Sequence, residues 1–225
     1  AAAAGGAKVM VLEQEAHWGG RTHVEGGEID GMASEAWIAA AVEDLARMDN
    51  VTLRNRTMGA GVYDHGYALG YERVSDHTPG DGRPRHRLWR IRAKQIVTAT
   101  GALERPLSFP GNDVPGVMLA SAVRDYAVNY GVAAGRRTLV VTNNDDGYLT
   151  ALVLKNLGLD VVGVVDARAT ATGANAERAR KAGIKLMLGK AVAGVKGKRV
   201  VTGAIITDLA GKGASTDVEC DAIAM

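Results

Sequence analysis

Short runs of β-branched and other apolar residues alternate along this chain with segments of helical periodicity, and this alternation constrains the fold more than any other feature. Residues 8–13 (KVMVLE), 137–143 (RTLVVTN) and 160–166 (DVVGVVD) are such runs, and apolar residues recur at helical spacing over 33–48 and 147–157. Strands that alternate with helices are typical of a parallel sheet covered by crossover helices. The sequence therefore predicts an α/β protein.

A different pattern interrupts the alternation in the middle of the first half. Residues 67–74 and 85–91 alternate polar and apolar side chains, and the turn-rich TPGDG at 78–82 separates them. Two such segments joined by a turn predict an antiparallel β hairpin.

The strand-helix alternation then restarts, which indicates a second unit of the same kind. Residues 95–100 (QIVTAT) predict one more buried strand, and the irregular stretch 106–115, which contains prolines, follows it. We expect two Rossmann-like three-layer units, 1–112 with the hairpin inserted and 113–225. The second unit is further expected to contain a helix at 175–182 and strands at 184–188, 200–208 and 217–225.

The first unit is expected to be incomplete at its amino end. Residues 1–6 predict the tail of a helix with a glycine stop, and in a Rossmann unit such a helix follows a first strand and a G-x-G-x-x-G turn. That motif is absent from the sequence. We therefore expect a fragment that lacks the first strand and the phosphate-binding turn, with the second unit truncated at its carboxyl end.

Composition restricts the class of protein. The 225 residues are 47% hydrophobic, which suffices for one large or two modest cores. A net charge of +2 favours no nucleic-acid partner. No apolar run approaches the roughly 20 residues of a transmembrane helix, so we expect no membrane partner and a cytoplasmic location. The single cysteine, Cys220, excludes an internal disulfide and predicts a buried strand thiol.

The first strand ends in Glu13, the best single candidate for a ligand contact. An acidic residue at the end of the second strand of a Rossmann unit accepts hydrogen bonds from the ribose hydroxyls of adenosine. The same carboxylate repels a 2′-phosphate, so it favours NAD or FAD over NADP. The alternative is a strand-end glutamate that faces solvent.

A glycine pair follows Glu13 and strengthens the prediction of a nucleotide site. Gly19 and Gly20 allow the backbone to turn tightly and to approach a ligand without a Cβ atom in the way. The amides near Gly20, the guanidinium of Arg21 and the hydroxyl of Thr22 are then candidates to contact a diphosphate or ribose. A plain Gly-Gly loop with an exposed arginine is the alternative.

Two further segments are candidates because of their order along the chain. Thr100 and Gly101 end the predicted strand at 95–100, where small residues let the main chain pass beside a cofactor. The predicted turn at 57–59, which includes Gly59, follows the third strand, where such a fold brings backbone against adenine. Ordinary turn glycines are the alternative at each place.

The second unit differs at its first strand-to-helix turn. The sequence there is TNNDDG, and two adjacent aspartates, Asp145 and Asp146, would repel a pyrophosphate and each other. We expect this unit not to bind a dinucleotide in the usual way, and the aspartates to cap the helix. The histidines show no metal-ligand spacing, so no metal site and no catalytic residue are predicted.

These motifs resemble known flavoproteins. The order of Glu13, the glycine pair and TATGALERPLSFPGNDVPGVM at 98–118 resembles the pyridine-nucleotide-disulfide-oxidoreductase class. More narrowly, four stretches are similar to the alpha subunit of heterotetrameric sarcosine oxidase: IDGMASEAWIAA at 29–40, GVYDHGY at 61–67, DYAVNYGV at 125–132 and VVTNNDDGYLTAL at 140–152.

The resemblance implies an oxidoreductase subunit whose first domain holds NAD noncovalently, with FAD as the alternative. In that family sarcosine is oxidatively demethylated to glycine at a covalent flavin of the beta subunit, with FMN at the subunit boundary. The one-carbon unit passes to tetrahydrofolate, and hydrogen peroxide forms. The resemblance thus implies partner subunits in a heterotetramer, and sarcosine as a small-molecule substrate bound outside this segment.

Carried over residue by residue, the family's adenosine contacts fall on Glu13, Gln14, Glu15, Arg21 and Gly59. Arg21 stands where a small hydroxyl residue is common in the family, so this sequence departs from the family's pattern at that contact. Related subunits of opine oxidases and of proline or amino-acid dehydrogenases share the broader motifs. They remain alternatives, as does a noncatalytic assembly module with a structural NAD.

Overall fold

The computed structural model describes residues 1–211 and 213–225, and these form two compact units, Ala1–Thr100 and Gly101–Met225. The predicted boundary at 112/113 therefore lies inside the second unit. The stretch before that position packs within the second unit: the carbonyl of Pro110 accepts a hydrogen bond from the Val195 amide at 3.1 Å, and Phe109 packs against one of its core clusters.

The first unit contains short strands, two α-helices and a 3₁₀ helix at Asp64–Gly66. The strands and α-helices in chain order are β1 (Val9–Leu12), α1 (Thr22–Glu25), β2 (Glu28–Ile29), β3 (Met32–Ala33), α2 (Ser34–Ala46), β4 (Val51–Arg54), β5 (Thr57–Tyr63), β6 (Tyr67–Arg73) and β7 (His86–Arg92). β1 pairs with β4 in parallel, and β5, β6 and β7 form an antiparallel sheet.

The predicted hairpin is confirmed as β6 and β7, which pair with Gly70 opposite Trp89. It is joined by a third strand that the sequence did not predict. Residues 57–59, expected to be a turn, lie in β5, where Met58 pairs with Tyr71. The small residues at the centre of β5 have low strand propensity, so only the ladder with β6 reveals the strand.

Of the two predictions at the ends of the first unit, the strand at the carboxyl end is wrong. Residues 95–100 (QIVTAT) lie outside every strand of the described residues, and Val97 is 90% exposed. Apolar composition favours a strand, but a strand also needs a neighbour to accept and donate its backbone hydrogen bonds. Residues 1–6 form hydrogen-bonded turns that agree with the predicted helix tail: the Gly5 amide donates to the carbonyl of Ala1, four residues back, at 3.0 Å, and Gly6 has the positive φ, 84°, of a glycine stop.

The second unit contains a parallel sheet of five strands and an antiparallel sheet of three. The elements in chain order are β8 (Val117–Met118), α3 (Ala120–Tyr130), β9 (Arg137–Thr142), α4 (Asp146–Asn156), β10 (Asp160–Asp166), α5 (Ala174–Lys181), β11 (Leu186–Leu188), β12 (Lys190–Lys196), β13 (Gly203–Asp208), β14 (Thr216–Val218) and β15 (Ala222–Ala224). The parallel strands lie in the order β11-β10-β9-β15-β8, and β12, β13 and β14 form the antiparallel sheet. The direction of the strand order reverses between β9 and β15, as it does within doubly wound α/β sheets.

Both faces of the parallel sheet in the second unit are buried. Val140 and Val164 face a cluster formed with the three helices, while Leu139 and Val165 face a cluster formed with the antiparallel sheet. Continuous apolar runs are what strands covered on both faces require. Helices, parallel sheet and antiparallel sheet thus form three layers. Among the described residues, no helix has the length and apolar character to cross a bilayer.

The lone cysteine lies in the core of the second unit, as predicted, although between two strands. Cys220 is 4% exposed, and burial, together with the nearby Asp221 carboxylate, raises the pKa of its thiol to about 11.

At pH 8 only about one Cys220 thiol in a thousand is then the reactive thiolate. We expect the native chain to react with iodoacetamide at pH 8 far more slowly than the chain in guanidinium chloride. Equal alkylation rates by mass spectrometry would contradict this burial.

Candidate functional site

The segment 13–16, which leaves β1, is fastened to the turn between β4 and β5. The amide of Thr57 donates to the carbonyl of Glu13 at 2.7 Å, and the amide of Arg56 donates to the carbonyl of Glu15 at 2.8 Å. These bonds fix the backbone on which the first predicted ligand residues lie.

The Glu13 carboxylate is half-buried and held in place on one side only. Its Oε1 accepts the backbone N–H of Glu15 at 3.0 Å. Its Oε2 has no hydrogen-bond partner in the part of the chain that the structure describes. An oriented carboxylate with an oxygen left over suits a ligand that brings its own donors, such as the two hydroxyls of a ribose.

An open hollow of about 290 Å³ lies beside this segment, lined by Gln14, Glu15, Met58, Tyr71 and Arg73. The Arg73 guanidinium donates to the carbonyl of Gln14 at 2.6 Å, so β6 helps to shape the hollow. The ring of Tyr71 is 37% exposed and Met58 is 48% exposed. The hollow therefore offers a flat apolar surface next to fixed polar groups, which suits a heteroaromatic base.

Gly59 lies in β5 beside Met58. A Cβ atom at Gly59 would meet no heavy atom within 4 Å, so the strand is open to a ligand there. The sequence placed Gly59 in a turn, and the structure places it in β5, where its Cβ position points to the sheet face opposite Met58 and Tyr71.

The paired glycines divide into two roles. A Cβ atom at Gly19, whose φ is 103°, would lie 2.4 Å from Cδ1 of Ile38, so this glycine lets the loop pack against α2. At Gly20, with φ of 54°, a Cβ atom would meet nothing within 4 Å. Gly19 is thus required by packing, and Gly20 alone leaves backbone open to an approaching group.

Arg21 and Thr22 lie at the start of α1. The Nε of Arg21 donates to Oε1 of Glu25 at 3.2 Å, an ion pair along the same helix. Because α1 has four residues, it carries little of a helix dipole to attract an anion. The predicted diphosphate contact of Arg21 and Thr22 remains a prediction. A second open hollow of about 290 Å³ lies beside this loop, lined by His17, Trp18, His23, Glu35 and Ile38.

Thr100 and Gly101 fall on either side of the unit boundary. Both are exposed and lie outside the strands. Among the residues described, no hydrogen bond joins Thr100 to segment 13–16, so none holds Thr100 beside Glu13. The predicted role of these two residues beside a cofactor remains a prediction.

The second unit also has an acidic residue at the end of a strand, and this one is fully satisfied. Asp166 is 0% exposed and accepts hydrogen bonds from the Tyr148 hydroxyl at 2.7 Å and the Arg168 guanidinium at 2.8 Å. Burial alone would raise the pKa of Asp166, but the hydrogen bonds from Arg168 and Tyr148 hold it below its usual value. Asp166 is therefore a buried, paired carboxylate.

The two aspartates that the sequence treated as repelling each other are both paired with arginines. Asp145 accepts from Arg168 at 2.9 Å, and Asp146 accepts from Arg124, which is 1% exposed, at 3.2 Å. The expected capping by these aspartates is wrong: the Asn144 side chain accepts the N–H of Asp146 at 2.9 Å, and Asp145 makes no capping bond.

Sequence analysis missed several of these residues because they contact residues that are far away in the chain. Tyr71 and Arg73 reach segment 13–16 only through the pairing of β6 with β5. Tyr148 reaches Asp166 from α4, 18 residues earlier in the chain. Arg168 lies only two residues after Asp166, but it reaches Asp145 across 23 residues. One signal was available: Asp166 ends an apolar strand, as Glu13 does.

No protein-family model matches the chain. Among curated proteins it is 44% identical over 191 residues to the sarcosine oxidase subunit alpha of Corynebacterium sp. (strain P-1), covering 83% of this chain and 20% of that protein. It is 37% identical over 222 residues to the subunit of the same name from Rhizobium meliloti (strain 1021), covering 98% and 22%. The chain therefore spans about a fifth of the length of these relatives.

Solved structures agree in fold. A thioredoxin reductase from Lactococcus lactis matches with a TM-score of 0.67 at 20% identity, over 99% of this chain and 70% of that one. L-proline dehydrogenase from P. horikoshii matches with a TM-score of 0.62 at 21% identity, over 96% and 36%. An NAD-dependent persulfide reductase from A. fulgidus matches with a TM-score of 0.59 at 17% identity, over 98% of this chain and 41% of that one. At these identities the likeness establishes the fold.

Proposed function

We propose a function for this chain from the premise that it is homologous to one segment of the alpha subunits of sarcosine oxidase. The proposal is that the first unit holds the adenosine end of a noncovalent dinucleotide, NAD in preference to FAD. The observation that carries it is the Glu13 carboxylate, fixed through one oxygen by the Glu15 amide and open at the other.

The base is proposed to lie in the hollow formed by Met58, Tyr71 and Arg73. Tyr71 offers a half-exposed ring for stacking. The proposed contact of Gly59 with adenine is through its backbone, because its Cβ position points to the opposite face of the strand. Gln14 and Glu15 line the same hollow, so the base and its ribose would share one continuous surface. The open backbone at Gly20 is the proposed approach for the diphosphate.

At the level of the whole protein, we propose an oxidoreductase subunit within a hetero-oligomer that oxidatively demethylates sarcosine. The dinucleotide of this segment, FMN and a second flavin elsewhere would belong to one electron-transfer assembly, and the one-carbon unit would pass to tetrahydrofolate. The competing proposal is a subunit of a proline dehydrogenase complex, which the fold match with L-proline dehydrogenase favours. The amine substrate distinguishes the two.

The identity of the nucleotide is the first experiment. The complete subunit, purified with its partners, would be heated to release noncovalent ligands, and these would be identified by mass and by ultraviolet and visible spectrum. NAD is the expected result. FAD would shift the cofactor assignment, and the absence of any nucleotide would refute the proposed site.

Replacing Tyr71 tests the position of the base. We expect Tyr71→Ala to weaken NAD binding about tenfold, because stacking of a base on an aromatic ring contributes roughly 1–3 kcal/mol. The matched control is Leu88→Ala, since Leu88 pairs with Tyr71 across the sheet, is 53% exposed and does not line the hollow. Calorimetric titration measures both. Equal affinities of the two variants would place the base elsewhere.

A further inference from the structure

In the second unit β9 and β10 are parallel neighbours, and their last residues, Thr142 and Asp166, are register partners. Open α/β folds bind ligands in a crevice outside the carboxyl ends of such strands. The position outside these two strand ends is called the crevice of the second unit. In this chain the side chains that follow the two strands meet each other at that place.

One guanidinium joins the two strand ends. The Nη2 atom of Arg168 donates to Asp166 at 2.8 Å and to Asp145 at 2.9 Å, so a single cation bridges the carboxylates that follow β10 and β9. The backbone N–H of Arg168 also donates to Asp166 at 2.9 Å. The Tyr148 hydroxyl completes the set from α4.

The start of α5 lies against one side of the Asp145 carboxylate, which is 39% exposed. A Cβ atom at Gly173, the residue before α5, would lie 1.3 Å from Oδ2 of Asp145, so a larger residue there would displace the Asp145 side chain. An incoming phosphate would have to displace Asp145 from Arg168 and would then face two carboxylates.

We propose that Asp145 is an internal anion that takes the place of a ligand phosphate and closes the crevice of the second unit, so that this unit excludes dinucleotides. Asp166 is engaged by Arg168 and Tyr148 and offers no open oxygen of the kind that Glu13 has. The closure is a property of the second unit alone and does not depend on the nucleotide proposed for the first.

Opening the crevice tests the closure. The probe is ADP-ribose, added to the complete subunit with its partners, and the measurement is hydrogen exchange of backbone amides at 143–150 and, separately, at 13–22. We expect the native protein to show no protection at 143–150. In Asp145→Ala, ADP-ribose should protect these amides, and the apparent affinity for ADP-ribose should exceed that of the native protein by about tenfold or more.

Three variants complete the test. The double variant Asp145→Ala with Arg168→Gln should lose the gain in ADP-ribose binding, because the guanidinium released by Asp145→Ala is the proposed contact for the anion. Asp145→Asn, which keeps the shape, should gain binding even if Asp145→Ala folds poorly. Asp160→Ala removes an equally negative but 62% exposed side chain and should gain nothing.

Protection of native residues 143–150 by ADP-ribose would overturn the closure, as would the absence of a gain in both Asp145 variants. The amides at 13–22 report on the first unit, so failure of the proposed nucleotide site there is recognised independently.

Discussion

Replacing Asp166 with alanine is expected to lower the free energy of unfolding of the second unit by about 3–5 kcal/mol, because a buried polar group loses its partner. The Tyr148 hydroxyl, 0% exposed, would lose its acceptor, and Arg168 would lose one of its two carboxylates. Urea unfolding of the chain, followed by circular dichroism, measures the change. Asp160→Ala, at the exposed start of the same strand, is the matched control and should change stability by about 0.5 kcal/mol or less.

The same variant should change how stability depends on pH. The pKa of Asp166 is lower in the folded protein than its ordinary value of 3.8, chiefly because hydrogen bonds from Arg168 and Tyr148 outweigh its burial. Its ionised form therefore contributes stability fully above about pH 5, and the contribution is lost as the pH falls through the folded pKa. The difference in unfolding free energy between the native protein and Asp166→Ala should therefore become smaller as the pH falls below about 5. A difference that stays constant over that range would contradict the assignment.

The second large effect is expected at Glu13. Glu13→Ala should reduce the nucleotide retained after dialysis of the complete subunit by about tenfold to a hundredfold, because hydrogen bonds to a charged group contribute roughly 1.5–3 kcal/mol each. Released nucleotide, quantified by chromatography against protein concentration, measures the loss. Glu13→Gln should retain an intermediate amount, since the amide oxygen still accepts one ribose hydroxyl.

Glu28→Ala is the control for Glu13, because Glu28 is an exposed acid of the same unit that lines neither hollow. If Glu13→Ala and Glu28→Ala retain as much nucleotide as the native protein, the ribose does not lie at Glu13. Thermal melting of the variants, compared with the native subunit, separates lost binding from lost folding.

Local pattern was sufficient for the regular elements of the second unit. Asp160–Asp166 is a strand with the bounds that its apolar run indicates, and the predicted helix at 147–157 is found at Asp146–Asn156. Strand alternation and helical periodicity are properties of neighbouring residues, so a sequence contains them directly. The hairpin of β6 and β7 was predictable for the same reason.

Prediction from the local sequence pattern failed where a strand depends on a pairing partner that is distant in the chain. QIVTAT has the composition of a buried strand, yet without a partner among the described residues it stays exposed. β5 has the composition of a loop, yet pairing with β6 makes it a strand.

By itself the sequence determined the α/β class, the position of Glu13 at the end of a strand and the glycine pair that follows, because each is written in consecutive residues. Only the tertiary structure decided which carboxylates are open. Glu13 keeps one oxygen unpartnered among the described residues, whereas Asp145 and Asp166 share Arg168. The physical reason is that the free energy of a charge in a folded protein depends on burial and on nearby opposite charges. Packing sets both, because it buries Asp166 and brings Arg168 to Asp145 across 23 residues of chain.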